Sequence, residues 1–595
     1  MKFPTAVLAV STLCLGLSSF VLGESVPEKK TEKKVLAHYM CWFENRPYRG
    51  GFRMEHWSYK LHGTPHDAEK VLESGKRDIS SVFYPLLGVY DSNDPDVIEY
   101  HVLSAKAAGI DGFVIDWYQP GSISDVAMQE LATICPKYKF SFAACYEEKA
   151  AFPGYRNPKT RDDSVQLGIE DFSYILKTYG STPGYLKVDG KPAIFMFLSG
   201  GQFAGQEAVF NYMELAKIKQ AVNSTDWVLF REHVDPVYWL SAKGAYQWVG
   251  DDAYQKWFAD TANDQKKKGK LNYVVAGASP GFDSSGVASW GQNHPVIPRV
   301  NGAYYAGQWD KAIRMNPDLV QIVTWNDFQE GSVIEPTFEF KTQYLDQTEQ
   351  MIEKFNGRKA DLSDNSLPFK IFQLRKAIAK KYDPKGEQFR TQNEAVDLAA
   401  LALVDGKGDE ANKILEETSK KVDWAWLTEI PASKEFGRYL PTSGKDKELI
   451  DAYELLKSPD NIAKGKTVTV SSTFIDPADV GGNVPKAEYL TDADSTTRWG
   501  SDYKDGQWVK LDLGESQAFS KIILDWETAC AKAFTIDVSN DDTNWKTIYT
   551  IKDFTGGLQV LPFESVKARY IRLNLQDRAT SWGFSLWEIG VLKAP

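Results

Sequence analysis

Apolar runs alternate with helical periodicity from Val35 to about Asn356. Nine runs have the length and the β-branched or aromatic content of buried strands. They are residues 35–43, 80–87, 110–118, 140–147, 191–198, 227–232, 245–249, 272–278 and 319–326. Helical spacing fits between several of them, for example at 95–108 and 341–356. The alternation predicts an α/β architecture with a parallel sheet.

Eight strands over this length match a (β/α)₈ TIM-like barrel, so one of the nine runs is surplus. An open, doubly wound sheet is the alternative. No G-x-G-x-x-G follows any of the runs, which makes a doubly wound nucleotide-binding sheet less favoured. We place the barrel at residues 35–357.

Two further segments follow the barrel. Residues 358–458 are charged and helical, with Ala and Leu at i, i+3 and i+4, and a break at 406–408 predicts a helical hairpin. This segment carries no recognisable chemistry, and we interpret it as a packing module or spacer. From residue 459 onward, short alternating runs rich in Thr, Ser and Val predict an all-β sandwich over 459–595.

The first residues have the pattern of a secretory signal. Lys2 supplies a positive charge, an apolar stretch follows, and Val21-Leu22-Gly23 is a small-residue cleavage site. We predict a signal peptide over 1–23, a charged linker over 24–34, and a secreted or periplasmic protein with no membrane association after cleavage. An uncleaved anchor is disfavoured because the apolar stretch is short and contains Ser, Thr and Gly.

The composition of the chain argues against some classes of binding partner. The formal net charge of −11 and the pI near 5.4 argue against a nucleic-acid partner, which needs a basic face. An anionic substrate in a locally basic pocket stays open. Cys41, Cys135, Cys145 and Cys530 are too scattered for a disulfide framework or a zinc site.

The most distinctive stretch is residues 321–337, where a strand-like run changes abruptly to W-N-D-F-Q-E-G. In an extended strand, Asp327 and Glu330 would lie roughly 10 Å apart on opposite faces. If the chain turns after Asn326, positions i and i+3 face the same way, with Cβ atoms about 5–6 Å apart. Such a turn can direct both acids into one cleft, as a glycosidase requires. The alternative is a loop whose carboxylates cap a helix.

Polar and aromatic residues also follow several other predicted strands. In a (β/α)₈ barrel, the carboxyl ends of the strands meet at one face, which holds the active site. The residues at these positions are His38, Tyr39, Trp42, Glu44, Asp116, Trp117, Tyr118, Tyr146, Glu147, Glu148, Ser279, Gly281 and Asp283, together with Asp327 and Glu330. The pattern predicts a cleft at that face.

The string W-N-D-F-Q-E-G-S-V-I-E-P resembles the N-E-W-x-E-G-T-x-I-E-P signature of glycoside hydrolase family 99, the endo-acting α-mannosidases. It also resembles the W-N-D-Y-x-E-S string of family 71, the α-1,3-glucanases. The runs AHYMCWF and EHW and residues 84–118 resemble family 99 as well. The resemblance implies that Asp327 and Glu330 are the catalytic pair, with Glu330 as general acid and Asp327 as base.

The resemblance further implies a cleft lined by Tyr39, His56 and Trp117, with His38 or Tyr118 as alternatives. The predicted substrate-binding set is Tyr39, His56, Trp117, Tyr118, Glu147, Asp283, Trp325 and Glu335. Pairing of Glu147 or Glu148 with Glu330 is a competing assignment of the two acids. In family 99 the first acid deprotonates the sugar 2-hydroxyl and the anomeric configuration is retained. Asp327 is one methylene shorter and closer to family 71, for which inversion is expected.

Residues 461–593 resemble the discoidin, or coagulation-factor 5/8 C-type, domain, which includes carbohydrate-binding module family 32. The resemblance rests on Asp492 to Trp499, Trp508, Leu511 to Gly514, Val538-Ser539, Asn544-Trp545, Arg569 to Leu573 and Ser585 to Ile589. It implies a structural Ca²⁺ held by Asp492, Asp494, Thr497 and Glu588, whose oxygen atoms suit this ion. No cofactor is expected for catalysis.

Together these features predict a secreted, monomeric, endo-acting glycoside hydrolase of α-mannan or α-glucan type, with a carbohydrate-binding module. The alternative is a non-catalytic glycan-binding protein on a degenerate glycosidase barrel.

Overall fold

Eight parallel strands close into a barrel in the computed structural model. They are β1 (Lys34–Tyr39), β2 (Gly112–Trp117), β3 (Ser141–Glu147), β4 (Lys191–Phe197), β5 (Val228–Glu232), β6 (Gly244–Tyr246), β7 (Tyr273–Ala278) and β8 (Leu319–Ile322). Each strand pairs with the next, and β8 returns to β1 with Lys34 opposite Leu319 and Ala37 opposite Ile322. The predicted (β/α)₈ fold is confirmed.

The structure describes residues 32–48, 51–53, 56–58, 66–153, 155–156, 158–198, 202–203, 206–207, 209–222, 226–287, 295–359, 364–434, 436, 452, 455–474, 485–493, 497–527, 529–554, 556–580 and 582–594. The predicted signal peptide at 1–23, most of the predicted linker and the predicted calcium ligand Asp494 lie outside these residues.

Within the described residues, seven helices surround the barrel. They are α1 (Pro95–Ala107), α2 (Ile123–Ile134), α3 (Arg161–Thr178), α4 (Tyr212–Ala221), α5 (Asp252–Lys267), α6 (Ala303–Arg314) and α7 (Gln343–Asn356). The start of α1 follows the expected capping chemistry: the Asp94 side chain accepts the amide of Asp96, and Pro95 occupies the first turn. Between β5 and β6 the described chain contains the short 3₁₀ turn Pro236–Tyr238.

The surplus strand is the predicted run 80–87, which is wrong. This segment forms bends and turns, and only Pro85 makes an isolated bridge, to Thr337. Its apolar side chains include Tyr84, Leu86 and Leu87, which are buried against the loop that follows β8. The sequence pattern therefore reported burial correctly but not strand pairing.

Alternate side chains of the barrel strands enter two different cores. One set fills the barrel interior, for example Leu36, Val114 and Phe195. The other set, for example Ala37, Phe113 and Ile115, packs beneath the helices. Because both faces are covered, the strands read as nearly continuous apolar runs.

The segment after the barrel forms α8 (Leu367–Lys381), α9 (Glu387–Val404) and α10 (Gly408–Val422). The predicted break lies between α9 and α10, where Gly406 adopts φ 75°. Helix α8 packs on α1 and joins it through a buried ion pair of Arg375 with Glu99, at 2.9 and 3.0 Å. The helices share one apolar core with the outer side of the barrel, as expected for a packing module.

The C-terminal part is an antiparallel sandwich, as predicted. Its strands are β9 (Thr467–Val470), β10 (Trp499–Gly500), β11 (Gln507–Trp526), β12 (Ala531–Ser539), β13 (Lys546–Ile551), β14 (Leu558–Arg578) and β15 (Ser585–Lys593). The long strands β11 and β14 pair with each other along their length, with register shifts. One half of β11 also pairs with β9 and the other half with β15, so the sheet folds into two layers around one core.

Cys41, Cys135, Cys145 and Cys530 are buried free thiols. Within the described part of the chain, no helix has both the length and the apolar character needed to cross a bilayer.

Candidate active site

The segment after β8 forms a closed turn, residues 324–335, that carries both predicted acids; we call it the acid turn. The carbonyl of Trp325 accepts hydrogen bonds from the amides of Ile334 and Glu335, at 2.9 and 2.8 Å, and these bonds join the two ends of the segment. The amide of Glu330 donates to Oδ1 of Asp327 at 3.0 Å. The amide of Asp327 in turn donates to Oγ1 of Thr324 at 2.8 Å. The chain thus curls after Asn326, as the motif predicted.

A buried arginine holds the far side of the acid turn. Nη2 of Arg299 donates to the carbonyls of Gly331 and Val333, at 2.9 and 2.7 Å. The guanidinium lies 4.6–4.8 Å from the ring centroids of three aromatic residues, Phe83, Phe340 and Tyr344. Stacked, weakly hydrated guanidinium groups suit such buried positions. Arg299 was not predicted from the sequence, because nothing nearby marks it.

Asp283 supports the acid turn through its backbone. Its amide donates to the carbonyl of Glu330 at 2.8 Å, while its side chain accepts from Ser285. A Cβ on Gly331 would meet the carbonyl oxygen of Asp283 at 2.8 Å, and Gly331 has φ 58°. Both facts require glycine at this position.

The environment of the acid turn separates the pKa values of its two carboxyls. Burial raises the pKa of Asp327 to about 6, and the amides of Glu330 and Gln329 oppose the shift. Burial, followed by the charge of Asp327, raises the pKa of Glu330 to about 8, against the opposing charge of Lys149. At neutral pH, Asp327 is mainly ionised and Glu330 mainly protonated. Such a pair has the protonation states of a base and an acid.

His56 reaches the acid turn as predicted. Its Nδ1 lies 2.8 Å from Oε1 of Gln329, and its ring stacks on Trp42 at 4.9 Å between centroids. His38 lies inside the barrel against Trp248, and burial lowers its pKa to about 3, so it is neutral.

A second carboxylate group lies at the carboxyl ends of β2, β3 and β5. Burial and the charge of Glu147 raise the pKa of Asp116 well above its usual range. Glu232 is buried nearby, and burial raises its pKa to about 7, with a contribution from Glu147. Nζ of Lys149 lies 3.2 Å from Oε2 of Glu147 and partly offsets this negative charge.

Tyr118 lies at the edge of this group. It stacks on Tyr155, with ring centroids 5.3 Å apart and planes 22° from parallel, and Lys149 lies over both rings. Tyr155 is 52% exposed. Lys149, Tyr155 and Glu232 were missed by the sequence analysis; Lys149 directly follows two predicted residues and could have been included.

Other predicted site residues lie in the core. Tyr39, Trp117 and Trp325 are fully buried in the layer between strands and helices and do not line a cleft. Their neighbours along the strands, His38 and Asp116, face the barrel interior instead. The reason is the two-residue period of a strand, which sends adjacent side chains to opposite faces.

Two predicted glutamates also lie away from the mouth. Glu335 is fully buried against Tyr90 and His101. Glu148 accepts the amide of Phe210 at 2.6 Å and is influenced by Arg231 on the outer face of β5. Glu148 is therefore not brought to the acid turn, which disfavours it as the competing catalytic acid, whereas Glu147 is at the mouth.

The sandwich has a cavity of about 300 Å³. Its lining includes Phe474, Tyr503 and Trp582 with the charged Arg498 and Glu527. Tyr503 and Trp582 are 50% and 43% exposed. Half-exposed aromatic rings beside polar groups are features of ligand pockets.

The predicted calcium ligands cluster at the loop before β10. Oγ1 of Thr497 donates to Asp492 at 2.8 Å, and Oε1 of Glu588 accepts the amide of Ala493 at 2.7 Å. Ala493 has φ 61°, an unfavourable value for alanine. These hard oxygen donors fit calcium chemistry. Among the described residues alone, no group of three His, Cys, Asp or Glu side chains is arranged to hold a metal.

Several known proteins are similar to this chain. A glucan endo-1,3-alpha-glucosidase of Schizosaccharomyces pombe is 23% identical over 254 residues, which is 40% of this chain and 53% of that protein. The GH99 endo-alpha-mannosidase structure from Bacteroides thetaiotaomicron is 21% identical, covers 54% of this chain and 97% of its own, and has a TM-score of 0.44.

A glycoprotein endo-alpha-1,2-mannosidase-like protein of Mus musculus is 27% identical over 329 residues, which is 50% of this chain and 68% of that protein. The F5/8 type C domain model matches residues 467–589, which confirms the predicted C-terminal resemblance. The model of glycosyl hydrolase family 99 matches residues 30–365, more than half of the sequence. The chain is therefore a glycoside hydrolase that belongs to glycosyl hydrolase family 99.

Proposed function

We propose that this protein is an exported, endo-acting enzyme that cleaves α-mannan-type glycans, and that its sandwich holds it on the polymer. The observation that carries the proposal is the acid turn, where Asp327 and Glu330 have raised pKa values on either side of neutrality. The similarity to proteins named endo-alpha-1,2-mannosidase supports the endo mode and the mannose-type substrate. Export rests on the pattern of residues 1–23, and we expect a monomer.

Glu330 acts as the general acid. As the glycosidic C–O bond breaks, the Glu330 carboxyl transfers its proton to the departing sugar oxygen. Burial keeps this proton on Glu330 at neutral pH, because it disfavours the ionised form. Carboxyl groups whose pKa is raised in this way serve as general acids in other glycosidases.

Asp327 acts as the base. The amides of Glu330 and Gln329 orient its short side chain against its own turn. We propose that it removes a proton from a water molecule attacking the anomeric carbon, which would differ from the retaining route of family 99, where a longer Glu stands in place of Asp327. The reaction would then invert the anomeric configuration. The first-formed sugar would have the β configuration by proton NMR, and an α product would refute this route.

Aromatic side chains provide surfaces for the sugar rings. The stacked pair Tyr118 and Tyr155 lies beside Glu147 at the barrel mouth, and Trp42 stacks on His56 beside the acid turn. Aromatic rings combine a large apolar face with little conformational freedom, which suits the apolar faces of hexoses. Glu147 and Lys149 would hydrogen-bond sugar hydroxyls.

The sandwich cavity is the proposed glycan-binding site of the C-terminal domain. Trp582 and Tyr503 offer exposed rings, and Arg498 and Glu527 offer polar contacts. A tethered module raises the effective substrate concentration at the barrel without adding chemistry. The double substitution Trp582→Ala and Tyr503→Ala should weaken cleavage of insoluble polymer and leave cleavage of short oligosaccharides unchanged. Equal losses on both would refute the tethering role.

A bound calcium ion would stabilise the C-terminal sandwich. Asp492, Thr497 and Glu588 would hold the ion, and it would fix the loop before β10 to β15.

The full-length protein should be incubated with α-1,2-, α-1,3- and α-1,6-linked mannans and with α-1,3-glucan. We expect reducing oligosaccharides from an α-mannan, and none from the variants Asp327→Asn and Glu330→Gln. Release from α-1,3-glucan alone would move the substrate to the glucan class, which the W-N-D form of the motif also resembles. Binding without cleavage of every polymer would support the alternative, a non-catalytic glycan-binding protein.

A further inference from the structure

A buried polar network lies directly behind the acid turn. It consists of Tyr39, Tyr90, His101, Asn326 and Glu335, and we call it the polar strut. All five side chains are fully or almost fully buried. They come from β1, helix α1, the loop before α1 and both ends of the acid turn. The polar strut thus joins elements that are distant in the sequence.

Asn326 uses its whole side-chain amide in the polar strut. Oδ1 accepts the amide of Met40 at 2.8 Å, and Nδ2 donates to the carbonyl of Met40 at 2.8 Å. Nδ2 also donates to the hydroxyl of Tyr90 at 3.0 Å. The residue immediately before Asp327 is therefore fixed to the chain that follows β1.

Tyr90 connects the two ends of the acid turn. Its hydroxyl accepts from Asn326 and donates to Oε2 of Glu335 at 2.9 Å. Burial, with the charge of Glu335, raises the pKa of Tyr90 well above its usual range, so the hydroxyl keeps its proton. Removal of this one oxygen would break the side-chain link between Asn326 and Glu335 and leave the two ends joined only through backbone hydrogen bonds such as those to the carbonyl of Trp325.

Glu335 is held from its other side by helix α1. Oε1 of Glu335 lies 3.3 Å from Nε2 of His101, and Nδ1 of His101 lies 2.9 Å from the hydroxyl of Tyr39. When its proton is on Nε2, His101 accepts from Tyr39 through Nδ1, while Nε2 lies at ion-pair distance from Glu335 without hydrogen-bond geometry. No part of the Glu335 side chain is exposed, so it cannot contact a substrate.

We propose that Tyr90 and Glu335 are positioning residues, which hold Asp327 in register with Glu330 by linking the two ends of the acid turn. This inference rests on the proposed catalytic roles of Asp327 and Glu330. Burial of a carboxylate with several polar partners is costly and is retained in some proteins for structural specificity. Small displacements of catalytic groups are enough to lower turnover strongly.

The test compares Tyr90→Phe, Glu335→Ala and Glu335→Gln with the control Tyr138→Phe in the full-length protein. Tyr138 is also buried and donates to a glutamate of helix α1, Glu99, at 2.5 Å, so it matches the chemistry without touching the acid turn. We expect Tyr90→Phe and Glu335→Ala to lower kcat about tenfold to a hundredfold with little change in KM. Glu335→Gln keeps an acceptor for Tyr90 and should retain more activity than Glu335→Ala.

If Tyr90 has a purely structural role, Tyr90→Phe and Tyr138→Phe should have similarly lowered melting temperatures, and kcat per folded molecule of Tyr90→Phe should stay at the wild-type value. This result would overturn the proposal. Hydrogen exchange of the peptide 324–335 gives a readout without substrate. Its amides should exchange faster in Tyr90→Phe and not in Tyr138→Phe, and equal exchange in both variants would also overturn the proposal. If the wild type cleaves no glycan, the proposed function fails, and the exchange experiment alone decides this inference.

Discussion

The assignment of Glu330 as general acid makes a prediction about leaving groups. Glu330→Gln keeps the shape of the side chain but removes the proton that the departing sugar oxygen needs. Loss of a general acid typically costs about 10²–10⁴ in rate, or about 2.7–5.5 kcal/mol of barrier. In a glycosyl fluoride of the same oligosaccharide, the leaving group is a fluoride ion, which departs with little need for a proton. The variant should therefore lose activity on the glycan and keep most of its activity on the fluoride.

The size of the effect depends on how the protein holds this proton. A glutamic acid with its ordinary pKa of 4.5 is protonated in about one molecule in 300 at pH 7, whereas one with a pKa of about 8 is protonated in about nine of ten. The environment of the acid turn thus strongly favours the acid form of Glu330 at pH 7, mainly through burial and then through the charge of Asp327. In the wild type, activity should rise as Asp327 ionises near pH 6 and fall as Glu330 ionises near pH 8.

The assay measures kcat/KM from pH 5 to pH 9 on both substrates. Asp327→Asn should lose activity on both, because the base acts whichever group departs. Glu148→Gln is the matched control, since burial raises the pKa of Glu148 to about 8 as well, but the residue lies away from the acid turn. Glu147→Gln, run in parallel, tests the competing pair. If Glu330→Gln lowers kcat/KM equally on the glycan and on the glycosyl fluoride, the role of Glu330 as general acid is refuted.

Three further predictions follow from the charges of the structure. Lys149→Met removes a positive charge that lowers the pKa of Glu330, so the alkaline limb of the kcat/KM profile should move to higher pH; a fixed or lower limb would contradict this. Arg375→Met leaves Glu99 buried without its guanidinium partner and should destabilise the protein by about 3–5 kcal/mol in denaturant unfolding, whereas a loss below about 1 kcal/mol would show that the pair contributes little. Chelator should lower the melting temperature of the sandwich and Ca²⁺ should restore it; no shift would remove the metal assignment at Glu588.

Much of the architecture was predictable from local pattern. All eight barrel strands, helices α1 and α7, and the helical break at Gly406 were predicted within a few residues. The run 80–87 was wrong because apolar content reports burial, and a loop packed beside the acid turn is buried as deeply as a strand. Nothing in the local sequence distinguishes these two cases.

The candidate site was only partly predictable. Asp327 and Glu330 were found because the motif combines two carboxylates with a turn within a few residues. Tyr39 and Trp117 were placed in the cleft by analogy, but they face the helices. Both faces of a parallel barrel strand are apolar, so the sequence does not show which of two adjacent residues points inward.

The sequence by itself determined the barrel, the sandwich and the carboxylate pair, because these depend on periodicity and short-range spacing. Only the tertiary structure decided which distant residues contact the acid turn that carries this carboxylate pair. Arg299 lies about 30 residues before Asp327, and Tyr90 more than 200 residues before it, yet both are fixed to the acid turn. The pKa values of Asp327 and Glu330 were likewise set by burial, which arises only when distant segments of the chain exclude water from the turn.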